Sequence, residues 1–98
     1  MPNHNKPIAF GDDKQAVDLF VTYITLTLGW TAGKSVVEYL PNPYGPIGDL
    51  ILRSWHFTEE DGTYAGVLTR EAYWDKHGTM QTDYEWTPFT VEIGRAHV

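Results

Sequence analysis

Two turn signals divide the second half of the sequence into three strand-like segments. Asp61-Gly62 is a dipeptide typical of tight hairpin turns, and residues 75–78 form a second polar segment that ends in glycine. The segments around these turns, residues 50–58, 63–74 and 79–86, are rich in β-branched and aromatic side chains, as strands usually are. Segments joined by such short turns run antiparallel, so the pattern predicts a β-meander of at least three strands.

A helix is predicted ahead of the meander, over residues 12–28. Asp12 is positioned to cap its start, Gln15 follows at the spacing of a capping box, and Gly29 suits its end. The apolar residues that recur at helical spacing are Val17, Phe20, Val21, Ile24 and Leu28. Threonines and an apolar alternation in the second half leave a strand over residues 21–28 as the alternative. A helix that covers one face of an antiparallel sheet buries both apolar surfaces, which is typical of an α+β fold.

The segments around the helix carry weaker patterns. Residues 1–11 are predicted to form an extended arm, which Ile8 and Phe10 could dock to the body of the protein. Residues 34–40 are interpreted as a short helix or strand that ends at a proline. Residues 41–48 contain three prolines and two glycines, so this segment is predicted to be a loop.

The end of the chain, from Thr90 onward, contains a possible strand start and a tail of unusual sequence. Thr90 and Val91 could begin a further strand, which gives a predicted fold of one N-terminal helix packed on an antiparallel β-meander of three to four strands, in a single domain over residues 1–91. Residues 92–98 resemble the translation of a common sequencing adapter, whose codons GAG ATC GGA AGA GCA CAC GTC encode them before a stop codon. We therefore treat residues 92–98 as a non-native tail and expect the natural protein to continue beyond Val91.

Charge and composition argue against several classes of partner and site. Thirteen acidic and seven scattered basic residues give a formal net charge of −6. Direct binding to nucleic acid or to an anionic membrane is not expected, because both attract clustered Lys and Arg. With no cysteine, the chain has no disulfide, thiolate metal site or Cys nucleophile. The sequence has neither a signal-like segment nor an apolar run of membrane-spanning length, which predicts a cytoplasmic protein.

No catalytic or cofactor-binding motif is complete. Residues 29–35 resemble a phosphate-binding loop but have three spacer residues where that loop needs four. His56 and His77 each have acidic neighbours in the sequence, but neither group supplies the three or four ligands of a metal site. No spacing places a serine beside a histidine. The sequence therefore predicts no cofactor and no metal, and it leans against an enzyme.

Aromatic residues are the most prominent chemical feature, with four Trp, six Tyr and four Phe. Because side chains alternate along a strand, these rings are predicted on both faces of the sheet, more than one buried face requires. One set is interpreted as core, and the other as a platform for a ligand or a partner protein. The candidate binding residues are Tyr44, Trp55, Phe57, Trp74, Tyr84 and Trp86.

The leading functional hypothesis is a small, acidic, non-catalytic binding or accessory module that contacts another protein through residues 41–48 and exposed rings. One alternative is a truncated fragment of an enzyme or of a small-molecule-binding domain, with further site residues beyond Val91. Another alternative is a small-molecule pocket between the helix and the sheet, which predicts an apolar cavity lined by Trp55, Phe57 or Tyr84.

Overall fold

The computed structural model describes residues 6–90, which form one helix and one antiparallel sheet. The helix, α1, spans Lys14–Thr22 and continues as a π-helical turn over Tyr23–Thr27. The strands in chain order are β1 Ile8–Gly11, β2 Thr31–Ala32, β3 Val36–Pro41, β4 Asp49–Thr58, β5 Tyr64–Trp74 and β6 Met80–Pro88. The predicted α+β class is therefore confirmed.

The sheet has six strands, so the prediction of three to four strands was too low. Strands β3, β4, β5 and β6 form the meander, each pairing antiparallel with the next. Strand β1 adds to the outer edge of β6, and β2 pairs with β4 beside β3. Two of the strands that the prediction missed are the short edge strands β1 and β2, of four and two residues. The third is β3, which lies where the sequence predicted either a helix or a strand over residues 34–40.

Both predicted hairpin turns form as the sequence indicates. In the first turn, Asp61 Oδ1 accepts a hydrogen bond from the Thr63 amide at 2.9 Å, and Gly62 has φ 92°. In the second turn, Asp75 Oδ1 accepts hydrogen bonds from the amides of His77 and Thr79, both at 2.9 Å. These side-chain bonds satisfy backbone amides that the strand ladder leaves free, which is why Asp is favoured there.

The helix begins one residue later than the capping prediction. Asp13, rather than Asp12, is the cap, and its Oδ1 accepts a hydrogen bond from the Ala16 amide at 3.0 Å. The alternative of a strand over residues 21–28 is wrong, because the chain there stays helical as far as residue 27. The Thr25 hydroxyl donates to the Val21 carbonyl oxygen at 2.9 Å, so this β-branched residue is accommodated within the helix.

The core lies between α1 and one face of the sheet, which we call the helix-side face. Neighbouring strands place Trp55, Leu68 and Trp86 in one row across this face. The buried residues of the core cluster are Val17, Ile24, Phe57, Ala65, Leu68 and Trp86. The opposite face, which we call the open face, has no helix packed on it within residues 6–90.

Several sequence predictions concern the ends of the chain or the membrane. Thr90 is outside any strand, whereas Val91 and the proposed non-native tail over residues 92–98 lie outside the described residues. Within residues 6–90, no helix has the length and hydropathy needed to cross a bilayer.

Candidate functional site

A cavity of about 340 Å³ lies between α1 and the middle of the helix-side face. We call it the helix–sheet cleft. It exists because α1 packs over Phe57 and Trp86 and leaves part of this face without a covering helix. The cleft is lined by Lys14, Val17, Asp18, Val21, Ala32, Trp55, Phe57, Leu68, Arg70 and Tyr84. Small-molecule sites usually have volumes of about 300–1,000 Å³, so this cleft has room for a small ligand.

The interior of the cleft is mostly apolar. Val17 and Val21 come from the face of α1 that looks toward the sheet, while Phe57 and Leu68 come from the two central strands. Phe57 and Leu68 are only 1% and 3% exposed, so they form a fixed, well-packed surface at the cleft. Trp55 is half-buried and presents its ring as a further apolar wall. This lining favours a ligand with an apolar body.

Arg70 contributes to the cleft a buried side-chain nitrogen that has no hydrogen-bond partner among residues 6–90. It follows Leu68 on the same face of β5, and the register places it between Arg53 on β4 and Tyr84 on β6. Its Nε atom is buried and has no hydrogen-bond partner within the described part of the chain. Buried polar atoms are nearly always hydrogen-bonded, so an unpaired guanidinium nitrogen at a cavity is notable.

Two arginines flank the Trp55 ring. The guanidinium carbon of Arg70 lies 6.0 Å from the ring centroid, and that of Arg53 lies 5.9 Å from it. Their environments differ, because Arg53 Nη1 donates to Ser35 Oγ at 2.8 Å and Arg53 does not line the cleft. Cation–π contacts of this kind hold a guanidinium in place while leaving its hydrogen-bond donors available.

Among residues 6–90, no carboxylate forms an ion pair with either of these arginines. The only ion pair within residues 6–90 joins Lys14 Nζ to Asp18 Oδ2 at 2.8 Å, one helical turn apart at the edge of the cleft. The hydrogen bond and the charge of Asp18 raise the pKa of Lys14. Since these two side chains neutralise each other, the charge of Arg70 is not compensated by either.

The structure divides the six candidate binding residues into three groups. Trp55, Phe57 and Tyr84 line the helix–sheet cleft. Trp86 lies in the core at 5% exposure, with its ring edge-on to Phe57 at a centroid distance of 5.5 Å. The remaining two residues, Tyr44 and Trp74, lie at the other end of the sheet and do not line the cleft.

Tyr44 and Trp74 help to fix the loop between β3 and β4. The Tyr44 ring stacks on that of Tyr73, with centroids 4.2 Å apart, and Gly48 lies against the Trp74 ring. Asn42 Nδ2 donates to the carbonyl oxygens of Ile47 and Trp74 at 2.9 and 2.7 Å. Tyr44 and Trp74 nevertheless remain 47% and 38% exposed, so both rings are accessible at the surface.

Sequence reasoning did not identify Arg70 as a site residue. The sequence does contain an indication of this role, because Arg70 stands two residues after Leu68 and two before Ala72, in the part of β5 after Gly66 where side chains alternate regularly. A charged residue at such an inward position needs a partner or an opening to solvent. The sequence does not give the position of α1 on the sheet. That position determines where the cleft lies, and so whether Arg70 lines it.

The histidines and the glycine-containing segment considered in the sequence do not come together in one site. His56 lies on the open face, where its Nδ1 is 2.7 Å from the Tyr64 hydroxyl. His77 lies in the second turn. No group of three or more His, Cys, Asp or Glu suited to a metal is present among residues 6–90. In the glycine-containing segment of residues 29–35, the Gly33 amide donates to the His56 carbonyl oxygen, so part of it adds to the edge of the sheet.

The open face is acidic. Its central row runs from Glu38 through Leu52 and Glu71 to Asp83 across four strands, and Glu85 lies in the next row. The Tyr73 hydroxyl donates to Asp83 at 3.2 Å; burial and then this acidic neighbour raise the pKa of Tyr73. Strands β3 to β6 contain only two basic residues, both arginines on the helix-side face. The sheet therefore separates most of its charges, with both arginines on the helix-side face and four of the five strand carboxylates, all but Asp49, on the open face.

Comparison of the chain with protein-family models, curated proteins and solved structures found no match. The geometry of the helix–sheet cleft and of the open face therefore carries the functional argument.

Proposed function

We propose that this chain is a non-catalytic small-molecule-binding domain whose ligand lies in the helix–sheet cleft. The observation that carries this proposal is a cavity of about 340 Å³ with a largely apolar lining and one cationic side chain, Arg70, whose buried Nε has no hydrogen-bond partner within residues 6–90. A cavity of this kind, with few polar groups among apolar ones, is the usual form of a binding site for a small organic molecule.

Packing around the cleft supports a preformed site. Leu68 and Phe57 belong to the core cluster, and Val17 on the opposite wall is 5% exposed. Side chains this closely packed need little reordering when a ligand binds, so little conformational entropy is lost there. Trp55 lies beside them with a broad apolar surface, and stacking on such a ring favours a flat ligand body.

The simplest test uses a neutral two-ring probe, 2-naphthamide. Titration into ¹⁵N-labelled protein should shift the indole N–H signal of Trp55 and the amides of Val21 and Leu68, while the indole signal of Trp74 stays unchanged. A ligand of this size gains roughly 0.3 kcal/mol or more per non-hydrogen atom, so a Kd of about 1 mM or lower is expected.

A steric variant and a matched control locate the binding. Ala32→Phe adds a ring to a residue that lines the cleft and should abolish the shifts. Thr31→Phe adds the same ring to the neighbouring residue of β2, whose side chain lies on the opposite face, and should preserve them. The proposal is overturned if neither 2-naphthamide nor its carboxylate counterpart, 2-naphthoate, binds, or if the two variants bind 2-naphthamide equally well.

A second proposal, contact with a basic protein partner, is favoured by the open face. Glu38, Glu71, Asp83 and Glu85 share this face, and no Lys or Arg of strands β3 to β6 lies among them. Electrostatic complementarity would attract a partner with a basic surface. Tyr44, which stacks on Tyr73, provides an exposed ring at one end of this face, whereas Trp74 is on the helix-side face; interfaces are enriched in such rings.

This second proposal is tested with two double variants that remove the same charge. Glu71→Gln with Asp83→Asn neutralises the open face, and Glu59→Gln with Glu60→Gln neutralises the tip of the first hairpin. A specific partner should be retained by the wild type and by the hairpin-tip variant and lost by the open-face variant. Equal retention by all three proteins would contradict a role for the open face.

A further inference from the structure

We infer that the ligand of the helix–sheet cleft is an organic monoanion, an apolar body that ends in a carboxylate, and that Arg70 binds its anionic end. This inference rests on the proposed ligand-binding function of the cleft and specifies the class of ligand. It depends on three independent features of the described residues: an unpaired donor, an uncompensated pair of cations and the shape of the surrounding walls.

The unpaired donor is Arg70 Nε. It is buried and lacks a hydrogen-bond partner, although the residue lines a cavity that could hold one. A guanidinium presents five N–H donors in a planar fork that matches the two oxygens of a carboxylate. Nε has almost no accessible surface in this conformation, so the side chain would have to turn toward the cleft for a carboxylate to bind Nε and one terminal nitrogen. That pairing would satisfy the buried donor in the paired geometry that arginine favours.

The second feature is the position of Arg53 directly opposite Arg70 in the register of β4 and β5. Like charges in directly opposite positions destabilise a sheet unless something compensates them. The chain has thirteen acidic residues, yet the strand carboxylates adjacent to this row, Glu71, Asp83 and Glu85, lie on the open face, and Asp49 is four residues away from Arg53 at the start of β4. An anionic ligand would supply the compensation that the strands themselves do not.

The third feature is the arrangement of apolar walls around the cation. Trp55 lies next to the guanidinium of Arg70, and Leu68, two residues before Arg70 on the same face of β5, continues the surface toward Phe57. A ligand whose charged end meets Arg70 would therefore direct its body toward Leu68, Phe57 and the facing side of α1. An acyl or aromatic carboxylate has this combination of an anionic end and an apolar body.

The experiment compares 2-naphthoate with 2-naphthamide, which have nearly the same shape and differ in charge. Isothermal titration at physiological salt should show that wild-type protein binds the carboxylate at least about tenfold more tightly, the effect of one well-placed charge-assisted hydrogen bond. Arg70→Met should bind both probes with similar affinity. Arg70→Lys, which keeps the charge but loses the planar fork, should retain only part of the preference.

Arg53→Met is the matched control. It removes the same charge from the same face, beside the same Trp55 ring, at a residue that does not line the cleft. We expect this variant to keep most of the preference for 2-naphthoate. An equal loss in Arg53→Met and Arg70→Met would overturn the assignment to Arg70, because it would show a general effect of positive charge.

The two levels of the proposal fail in different ways. If 2-naphthamide binds in the cleft and 2-naphthoate binds no better, the inference about the anion is wrong and the proposed binding function stands. If neither probe shifts the Trp55 indole signal, the binding function itself is wrong. A dispersed amide spectrum for each variant shows that it has folded, and that spectrum is recorded from the same samples.

Discussion

The ring of Trp86 on β6 lies directly against the backbone of Gly66 on β5. A Cβ atom placed on Gly66 would be 2.7 Å from Cη2 of this ring and 2.6 Å from the Thr87 carbonyl oxygen. Both distances are far shorter than an ordinary van der Waals contact. Gly66 therefore allows the indole to reach the centre of the core, where it meets Phe20 and Phe57 at centroid distances of 5.4 and 5.5 Å.

Gly66→Ala is expected to destabilise the protein by about 1–3 kcal/mol, the usual cost of forcing extra atoms into a packed core. The residue also has φ 152°, which L side chains rarely adopt. Urea denaturation followed by Trp fluorescence measures the change. Gly62→Ala is the control, because Gly62 has φ 92° and open space around it. A Gly66→Ala variant no less stable than Gly62→Ala would contradict the close packing of Trp86.

The π-helical turn provides a matched pair of aliphatic residues. Ile24 is 2% exposed and belongs to the core cluster, whereas Leu26, two residues later, is 80% exposed. Ile24→Ala should destabilise the protein by about 2–5 kcal/mol, through lost burial and the cavity that remains. Leu26→Ala should change stability by less than about 0.5 kcal/mol, as surface substitutions usually do. Similar effects at the two positions would show that this turn does not dock on the sheet as described.

The helix and the meander could be predicted because their signals are local. The apolar stripe that contains Val17 and Ile24 fits one helical face, and the turns at Asp61-Gly62 and residues 75–78 separate the strands of the meander. Strands β1 and β2 could not be predicted in the same way. They have four and two residues, and their hydrogen bonds go to β6 and β4, which are distant in sequence.

The side chain of Asn42 holds the loop between β3 and β4, residues 42–48, in place. Asn42 donates hydrogen bonds to the carbonyl oxygens of Ile47 and Trp74, and its Oδ1 accepts one from the Tyr44 amide at 3.0 Å. Asn42→Ala removes all three bonds and should cost about 1–2 kcal/mol, since these groups are partly exposed and can bond to water instead. Faster hydrogen exchange at the Tyr44 amide would accompany the loss.

Asn42→Asp separates the contributions of the two ends of this amide. The carboxylate keeps an acceptor for the Tyr44 amide but places negative charge against two carbonyl oxygens. We expect it to be at least as destabilising as Asn42→Ala, because repulsion replaces two hydrogen bonds. An Asn42→Asp protein as stable as the wild type would show that the two donated bonds do not stabilise the loop.

The candidate site was only partly predictable, because it depends on register and on the placement of α1. The pairing of β4 with β5 shifts between Phe57 and Thr58, and a shift of one residue moves every later side chain to the other face. Alternation alone could therefore pair Trp55 with Phe57, but it could not place either ring opposite Leu68 or Trp86. The lack of a hydrogen-bond partner for Arg70 Nε among residues 6–90 depends on these same contacts between distant parts of the sequence.

The second hairpin turn makes stability depend on acid pH through Asp75. Its Oδ1 accepts hydrogen bonds from the amides of His77 and Thr79, and its Oδ2 accepts one from Gln81 Nε2 at 3.0 Å. The hydrogen bond from the Thr79 amide, followed by that from Gln81, lowers the pKa of Asp75. Because the pKa is lower in the folded protein than in the unfolded chain, the carboxylate stabilises the fold fully above the unfolded-state value of about 4.

As the pH falls from about 4 through the lower folded-state pKa, this contribution should be lost. Asp75→Asn is therefore expected to be less stable than the wild type at neutral pH, and the difference should narrow as the pH falls through this window. Urea denaturation of both proteins at several pH values, from neutral to acidic, measures this difference in stability. Asp12→Asn serves as the control, because Asp12 is exposed before the helix and accepts no side-chain hydrogen bond within residues 6–90. If the difference between Asp75→Asn and the wild type is the same at every pH, the charged form of Asp75 does not stabilise the turn.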